Sequence, residues 1–276
     1  MTTSRFQTAD KPQDMQELLT LTQTEFTLLA VICFYAGLVR GFTGFALSAI
    51  VMASAALILS PLALIPICWW LELVASAIMV RGGWKDADKG AAVTLWLGSA
   101  IAVPIGLYFT QNVSAELSQT VALYLILVLA VTQLANMRLA FLNTRAGLLG
   151  AGIGAGIATG LASVGGMVVA LYVLSSDHNP RQMRAALVMF LFLGTITTFV
   201  TLLLFGVLDK IAMLRAAALT IPTSLGVFAG KRLFTPNFEP YYRPICLSLL
   251  VGLSMVGLIR LATGTRGDAR ERPTLR

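Results

Sequence analysis

Two charged residues lie inside apolar stretches of this chain, and their chemistry is the most specific in the sequence. Arg40 lies within an apolar run, next to Gly41, and Glu72 lies in the next run, just after Trp69 and Trp70. An arginine at bilayer depth costs about 2.5–3.5 kcal/mol on insertion scales and usually marks a functional site. The planar guanidinium suits bidentate binding of carboxylate, sulfonate or sulfite oxygens. We therefore expect Arg40 either to contact an anion or to form a structural ion pair inside a helix bundle.

Glu72 is the natural partner of Arg40, and three roles are open for it. It could hold Arg40 as a counter-ion, carry a proton for coupled transport, or accept a hydrogen bond in helix packing. A carboxylate inside an apolar bundle needs a partner, so the sequence favours the ion pair slightly over the proton carrier.

Each half of the chain also carries a glycine-rich break within an apolar run, at residues 37–45 and 156–166. Backbone groups freed by such breaks at membrane depth need partners in protein or in a watery cavity. Paired broken helices in matching positions are typical of transporter binding sites, although glycines also simply allow close helix packing. Free amides at helix N-termini bind anions. We predict a substrate site formed by both breaks together with the charged pair: Arg40, Gly41, Thr43, Gly44, Glu72, Thr159, Gly160, Ser163, Gly165 and Gly166.

Sequence patterns of catalytic and metal sites are absent. The chain has no His-Glu-x-x-His pattern, no phosphate loop, no Gly-x-Ser-x-Gly elbow and no Cys-x-x-Cys. His178 is the only histidine, and the cysteines Cys33, Cys68 and Cys246 lie in apolar segments, where they read as small hydrophobic residues. We therefore expect neither an enzyme nor a metal site or cofactor.

The composition indicates an all-α integral membrane protein. The chain is 57% hydrophobic and 12% charged, with a mean hydropathy of +0.81, whereas soluble domains carry about 25% charged residues. A bilayer-spanning helix needs ~20 mostly apolar residues. Eight segments meet this requirement, and the first and fifth contain the breaks: roughly 23–59, 62–80, 91–109, 119–140, 146–174, 185–206, 212–229 and 244–263.

The two halves resemble internal repeats. Ser60-Pro61 follows the first broken segment and Asn179-Pro180 follows the second, 119 residues later, while Gly106 and Gly230 close the third segment of each half, 124 residues apart. We predict a polar N-terminal segment at 1–22, four-helix repeats at 23–140 and 141–263, and a basic tail at 264–276.

The distribution of lysine and arginine predicts how the chain crosses the membrane. If all eight segments cross, the side holding both termini carries fourteen basic residues and the other side five. If the two broken segments do not cross, the split is nine against ten. The positive-inside rule favours the first arrangement, with both termini in the cytoplasm and parallel repeats in an inner membrane. Because the basic residues lie in loops and the tail, the net charge of +7 does not indicate a nucleic-acid partner.

These residues resemble one known family. The run Arg40-Gly41-Phe42-Thr43-Gly44-Phe45, followed by Leu71-Glu72-Leu73, is similar to the sulfite exporter TauE/SafE family of membrane permeases. The second half agrees in Gly160 through Gly165-Gly166, in Leu171-Tyr172-Val173-Leu174 and in Met183-Arg184-Ala185. The resemblance runs from about Leu28 to Ala262, with one departure at Met167-Val168, where related sequences often carry prolines.

The resemblance implies a permease for a small sulfur oxyanion or organosulfonate, such as sulfite or sulfoacetate. We expect export driven by an ion or substrate gradient, with a proton or sodium as coupling ion. The alternatives are an uptake permease for another organic anion and a non-transporting membrane scaffold subunit. The expected partners are the lipid bilayer and the anion, and assembly into a homo-oligomer is compatible with the sequence.

Overall fold

The computed structural model describes residues 21–56, 58–80, 88–135, 144–175, 180–233 and 239–270. In these ranges the chain forms ten α-helices and no β-strand, which confirms the predicted all-α class. The helices are α1 (Gln23–Thr43), α2 (Leu47–Ala55), α3 (Pro61–Val80), α4 (Lys89–Asn112), α5 (Ala115–Leu134), α6 (Arg145–Ala162), α7 (Gly165–Ser175), α8 (Pro180–Leu204), α9 (Lys210–Leu233) and α10 (Glu239–Arg270). The predicted N-terminal segment, except its last two residues, and residues 271–276 of the predicted tail lie outside the described residues.

Six helices are long and apolar enough to cross a membrane, namely α1, α3, α4, α5, α8 and α9. Shorter apolar stretches lie at Ala146–Ala162 in α6 and at Leu247–Thr263 in α10. Helices α2 and α7, with 9 and 11 residues, are too short to cross alone. Length and composition thus do not confirm the predicted count of eight spans, and the positions of α2 and α7 decide how the chain crosses.

The helix interruptions are narrower than the predicted breaks. Helix α1 continues through Gly41 and ends at Thr43, where Gly44 adopts a left-handed conformation (φ 88°) and donates its N–H to the Arg40 carbonyl. Ala46 is also left-handed (φ 73°), and α2 begins at Leu47. Residues 44–46 form the first interruption. In the second half Ser163 is left-handed (φ 56°) between α6 and α7, and residues 163–164 form the second interruption.

Four glycines of the predicted breaks, Gly37, Gly41, Gly156 and Gly160, lie inside continuous helix, where they serve packing between the two halves. A side chain at Gly41 in α1 would overlap the carbonyl oxygen of Val227 in α9, and one at Gly160 in α6 would overlap that of Val103 in α4. Gly37 and Gly156, one turn earlier, meet α9 and α4 in the same way. Each broken run therefore packs along a helix of the opposite half, at backbone distances that only glycine allows.

The register of these contacts gives the helix directions. Gly37 lies next to Thr223 and Gly41 next to Val227, so α1 and α9 run parallel. The Trp70 indole donates to Thr220 Oγ1 (2.9 Å), and Lys231 Nζ donates to the Ile78 carbonyl (3.4 Å), so α3 is parallel to α9 as well. Because α1 and α3 point the same way, the chain between them must return. Helices α1 and α2 therefore form a hairpin that begins and ends at one end of the bundle.

The second half runs in the opposite direction. Only residues 205–209 join α8 to α9, and five residues cannot reach back along a helix of about 36 Å, so α8 is antiparallel to α9. Helix α4 is parallel to α8, since the Trp96 indole donates to Thr197 Oγ1 (2.8 Å) and the Gln111 amide donates to the Phe205 carbonyl (3.0 Å). Helix α6 runs parallel to α4, because Gly156 meets Ser99 and Gly160 meets Val103. Since α6 and α8 both run parallel to α4, the chain between them returns, and α6 and α7 form a second hairpin.

Helix α3 and its counterpart α8 thus point in opposite directions. The predicted parallel relation of the two halves is wrong, because the charge count treated each broken run as one crossing whereas the chain turns back within it. If both broken runs are hairpins, nine basic residues lie on the side of the membrane that holds the termini and ten lie on the other side.

Candidate functional site

Arg40 fastens the first interruption to α3. Its side chain is 0% exposed, and Nε donates to Glu72 Oε2 at 3.0 Å. Nη2 donates to Ser76 Oγ at 2.9 Å, and Nη1 donates to the carbonyl oxygen of Gly44. The predicted ion pair is confirmed. Because both ends of the guanidinium bind protein, Arg40 acts on the loop between α1 and α2.

Glu72 connects three helices. Its Oε1 accepts from the Ser48 hydroxyl at 3.0 Å and from the Ser48 backbone N–H at 3.4 Å, at the start of α2, while Oε2 faces Arg40 of α1. A carboxylate is favourable beside the N-terminus of a helix, where amide groups carry partial positive charge. The pair therefore fixes both helices of the first hairpin against α3.

Thr43 also serves the first interruption. Its hydroxyl lies 2.9 Å from the carbonyl oxygens of Val39 and Phe45 and accepts from the Phe45 N–H at 3.3 Å. These bonds satisfy backbone groups that the end of α1 leaves free.

A cavity of about 40 Å³ lies between α3, α6, α7 and α8. A single water needs roughly 10–15 Å³ on this measure, so the cavity has room for a small ion. Among the described residues that line it, hydroxyl groups dominate the polar part, and Glu72 is the single charged residue. The lining residues are Ser48, Trp69, Glu72, Ser99, Thr159, Ser163, Gly165, Gly166, Phe190, Leu191, Gly194, Thr195 and Thr198.

The two interruptions face each other next to this cavity. A second cavity of about 10 Å³ is lined by Ala46 from the first interruption and by Ser163 and Val164 from the second, and it shares Ser48 and Glu72 with the larger one. The hairpins thus bring their turning points to one place in the bundle.

The second interruption leaves more of its polar groups at the cavity than the first. Ser163 lines both cavities, and its N–H donates to the Thr159 carbonyl at 2.8 Å. The Thr159 hydroxyl donates to the Ala155 carbonyl at 2.8 Å, which leaves its oxygen lone pairs as acceptors at the cavity. A side chain at Gly165 would overlap Thr159 Oγ1, so glycine keeps this wall open.

Trp69 joins the opposite wall of the cavity to α8. Its indole N–H donates to the Thr195 carbonyl at 2.8 Å, and its ring stacks on Phe199 with centroids 5.1 Å apart. These contacts hold α3 against α8 at the level of the cavity.

Comparison with known proteins identifies the family of this chain. The family model described as "Sulfite exporter TauE/SafE" matches residues 29–256, most of the chain. The chain belongs to the sulfite exporter TauE/SafE family. No curated protein and no solved structure matches it significantly.

Membership of the TauE/SafE family confirms the predicted resemblance and makes this chain a membrane-embedded, multi-pass protein of a transporter family. Among the described residues, no group of three or more His, Cys, Asp and Glu side chains could hold a metal ion.

The cavity contains half of the predicted site residues. Glu72, Thr159, Ser163, Gly165 and Gly166 line it. The other five lie elsewhere: Arg40, Thr43 and Gly44 hold the first interruption together, while Gly41 and Gly160 are packed against α9 and α4. Their role in binding substrate stays a prediction.

Sequence reasoning did not select the cavity residues of α8. Thr195 and Thr198 lie in an apolar helix without a charged neighbour nearby, and Phe190, Leu191 and Gly194 read as ordinary helix packing. The repeat spacing could have found one of them, because Thr195 lies 119 residues after Ser76, the partner of Arg40.

Proposed function

We propose that this protein moves a small sulfur oxyanion or organosulfonate, such as sulfite or sulfoacetate, across the inner membrane. The proposed direction is export, driven by the gradient of the anion or of a coupling ion. Family membership supports the substrate class, and the cavity between the two interruptions supports a site for one small polar ion.

The observation that carries this proposal is the convergence of both hairpins on one hydroxyl-lined cavity. Inverted repeats whose broken helices meet at a central site are typical of secondary transporters, in which one half rocks against the other around a fixed substrate. The glycine contacts support such repeats, because Gly37 and Gly156 pair with Thr223 and Ser99 at the same offsets of 119 and 124 residues that relate the halves in sequence.

The proposed anion lies against hydroxyl donors rather than against Arg40. Ser163 and Thr198 are placed to donate from α6–α7 and α8. Gly165 and Gly166 bring the N-terminus of α7 to the cavity, and backbone amides at such a position favour negative charge. Arg40 contributes positive charge from behind Glu72.

The orientation of the chain is a separate part of the proposal. We keep the cytoplasmic placement of both termini, but the nine-to-ten division of basic residues gives it no support once each broken run is a hairpin. Accessibility labelling in intact cells determines it.

Flux into proteoliposomes tests the proposed function. We expect labelled sulfite or sulfoacetate to exchange across membranes that contain the wild-type protein. Ser163→Ala and Thr198→Val should each lower the rate about ten- to a hundredfold, since a lost hydrogen bond to a charged ligand costs ~1.5–3 kcal/mol. Thr132→Val is the matched control, because this exposed hydroxyl donates only to the Val128 carbonyl of its own helix.

Two results would reject the proposal in different ways. Absence of flux of both anions in wild type would reject the substrate class and favour the non-transporting scaffold. If the cavity substitutions lower flux no more than the Thr132 control does, the protein is still a transporter, but its substrate site does not lie in this cavity.

A further inference from the structure

We propose that Glu72 is a proton-binding site and that the anion occupies the cavity together with a proton on this carboxyl group. The inference rests on the proposed function and adds the coupling ion to it. It explains how an anion can bind in a cavity where Glu72, the one charged group among the described lining residues, is acidic.

The first step concerns charge at the cavity. Glu72 lines both cavities, whereas Arg40 lines neither. With Glu72 ionised, an anion in the larger cavity meets the carboxylate before the guanidinium, and the repulsion is strong in a site shielded from water. A proton on Glu72 removes this repulsion.

The second step concerns what remains when Glu72 is neutral. Arg40 keeps two other partners, the Gly44 carbonyl and Ser76 Oγ at 2.9 Å, so its position does not depend on the ion pair alone. Its charge then lacks a counter-ion. A buried charge without a counter-ion is costly, and an anion in the cavity supplies the missing negative charge.

The third step concerns Ser48, whose hydroxyl donates to Glu72 Oε1 at 3.0 Å and which also lines both cavities. When a proton from water binds Oε1, the new O–H can donate to Ser48 Oγ. The Ser48 hydroxyl hydrogen then becomes available to the anion. No other bond changes, and the proton returns to water when Glu72 ionises again.

The surroundings of Glu72 offer few competing titratable groups. Among the described residues, it faces Arg40 from α1 and interacts electrostatically with the Cys68 thiol of its own helix, which also interacts with the Cys33 thiol of α1. The cavity residues of α2, α4, α6, α7 and α8 carry hydroxyls, apolar side chains or glycine. Glu72 is therefore the group here whose charge can change with the passage of an anion.

Coupling of this kind moves the proton and the anion in the same direction. An acidic exterior then favours uptake, so the proposed export requires an outward gradient of the anion that exceeds the inward gradient of protons.

The test uses labelled sulfoacetate, which stays fully ionised between pH 6 and pH 8, so that any effect of pH comes from the protein. Wild-type proteoliposomes with an acidic exterior should accumulate sulfoacetate above equilibrium, and an internal pH dye should report acidification during uptake. Glu72→Gln mimics the protonated carboxyl group and should abolish accumulation driven by the pH gradient. Glu116→Gln makes the same change at an exposed carboxylate of α5 and should behave as wild type.

The outcomes separate this inference from the proposed function. If the wild type exchanges sulfoacetate without accumulation or acidification under the pH gradient, the inference is overturned, while the proposed transport function stands. Full accumulation by Glu72→Gln would have the same meaning. Absence of wild-type exchange would overturn both. If Glu72→Gln fails to fold, as judged by size exclusion, the dye measurement on wild type still decides.

Discussion

The two interruptions occupy equivalent places in the two halves, yet they are built differently. In the first, Arg40 binds Glu72, Ser76 and the Gly44 carbonyl, so that α1 and α3 are locked together. The residue 119 positions later is Thr159, whose hydroxyl donates only within its own helix and which lines the cavity. The difference teaches that a duplicated fold can use one hairpin as a fixed support and the other as the wall of a binding site.

Breaking the charged pair should have the largest effect on stability. Arg40→Ala leaves Glu72 buried without its counter-ion, which costs about 3–5 kcal/mol, so we expect loss of folded protein or a large fall in melting temperature in detergent. Thr159→Val should lose only about 0.5–1.5 kcal/mol while lowering flux.

The double substitution Arg40→Met with Glu72→Met is the control for this comparison. Apolar residues of similar volume often replace a buried ion pair with little loss, so the double variant should fold better than Arg40→Met alone. Equal stability of the single and double variants would contradict the assigned role of the pair.

The glycine contacts that seat each hairpin should give the next largest effect. Gly41→Ala and Gly160→Ala each place a methyl group against a backbone carbonyl of the facing helix, and overpacking of this kind costs about 1–3 kcal/mol. Gly252→Ala in α10 has open space around it and should be neutral or slightly stabilising. Thermal unfolding in detergent measures the melting temperatures of the three variants. Equal changes in melting temperature would show that these contacts do not hold the hairpins in place.

The opposite directions of the two hairpins make a topological prediction. Single cysteines at Thr22 and Ser60, in a protein without its native cysteines, should be labelled from the same side of the membrane by an impermeant maleimide. A cysteine at Asp88 should be labelled from the other side. If each broken run crossed once, Thr22 and Asp88 would share a side and Ser60 would lie opposite, which would refute the hairpins.

The smallest expected effect concerns Thr43. Thr43→Val removes a hydroxyl that bridges the backbone around the first interruption, and a hydrogen bond of this kind contributes ~1 kcal/mol. We expect a slightly lower melting temperature and the wild-type flux rate, because Thr43 does not line either cavity. A flux loss as large as that of Ser163→Ala would place substrate at the first interruption as well.

The sequence predicted the membrane class and slightly favoured the Arg40–Glu72 pair over a proton-carrying Glu72, because the cost of burying a charge is visible in a single chain. It did not predict the hairpins, since neither hydropathy nor the count of basic residues reveals the direction in which a 9-residue helix such as α2 runs. The cavity residues of α8 were missed for a related reason. Threonine in an apolar helix most often bonds its own backbone, so only tertiary contact shows that Thr195 and Thr198 meet the second interruption.

The most direct test of the central claim, that the substrate lies against the second interruption, is substrate protection of Ser163→Cys in a protein without its native cysteines. We predict that sulfoacetate slows the reaction of this cysteine with a small maleimide and that complete reaction abolishes flux. A cysteine at Thr132, which does not line either cavity, should react equally fast with and without sulfoacetate. Reaction of Ser163→Cys at a rate independent of sulfoacetate, with flux preserved afterwards, would contradict the account.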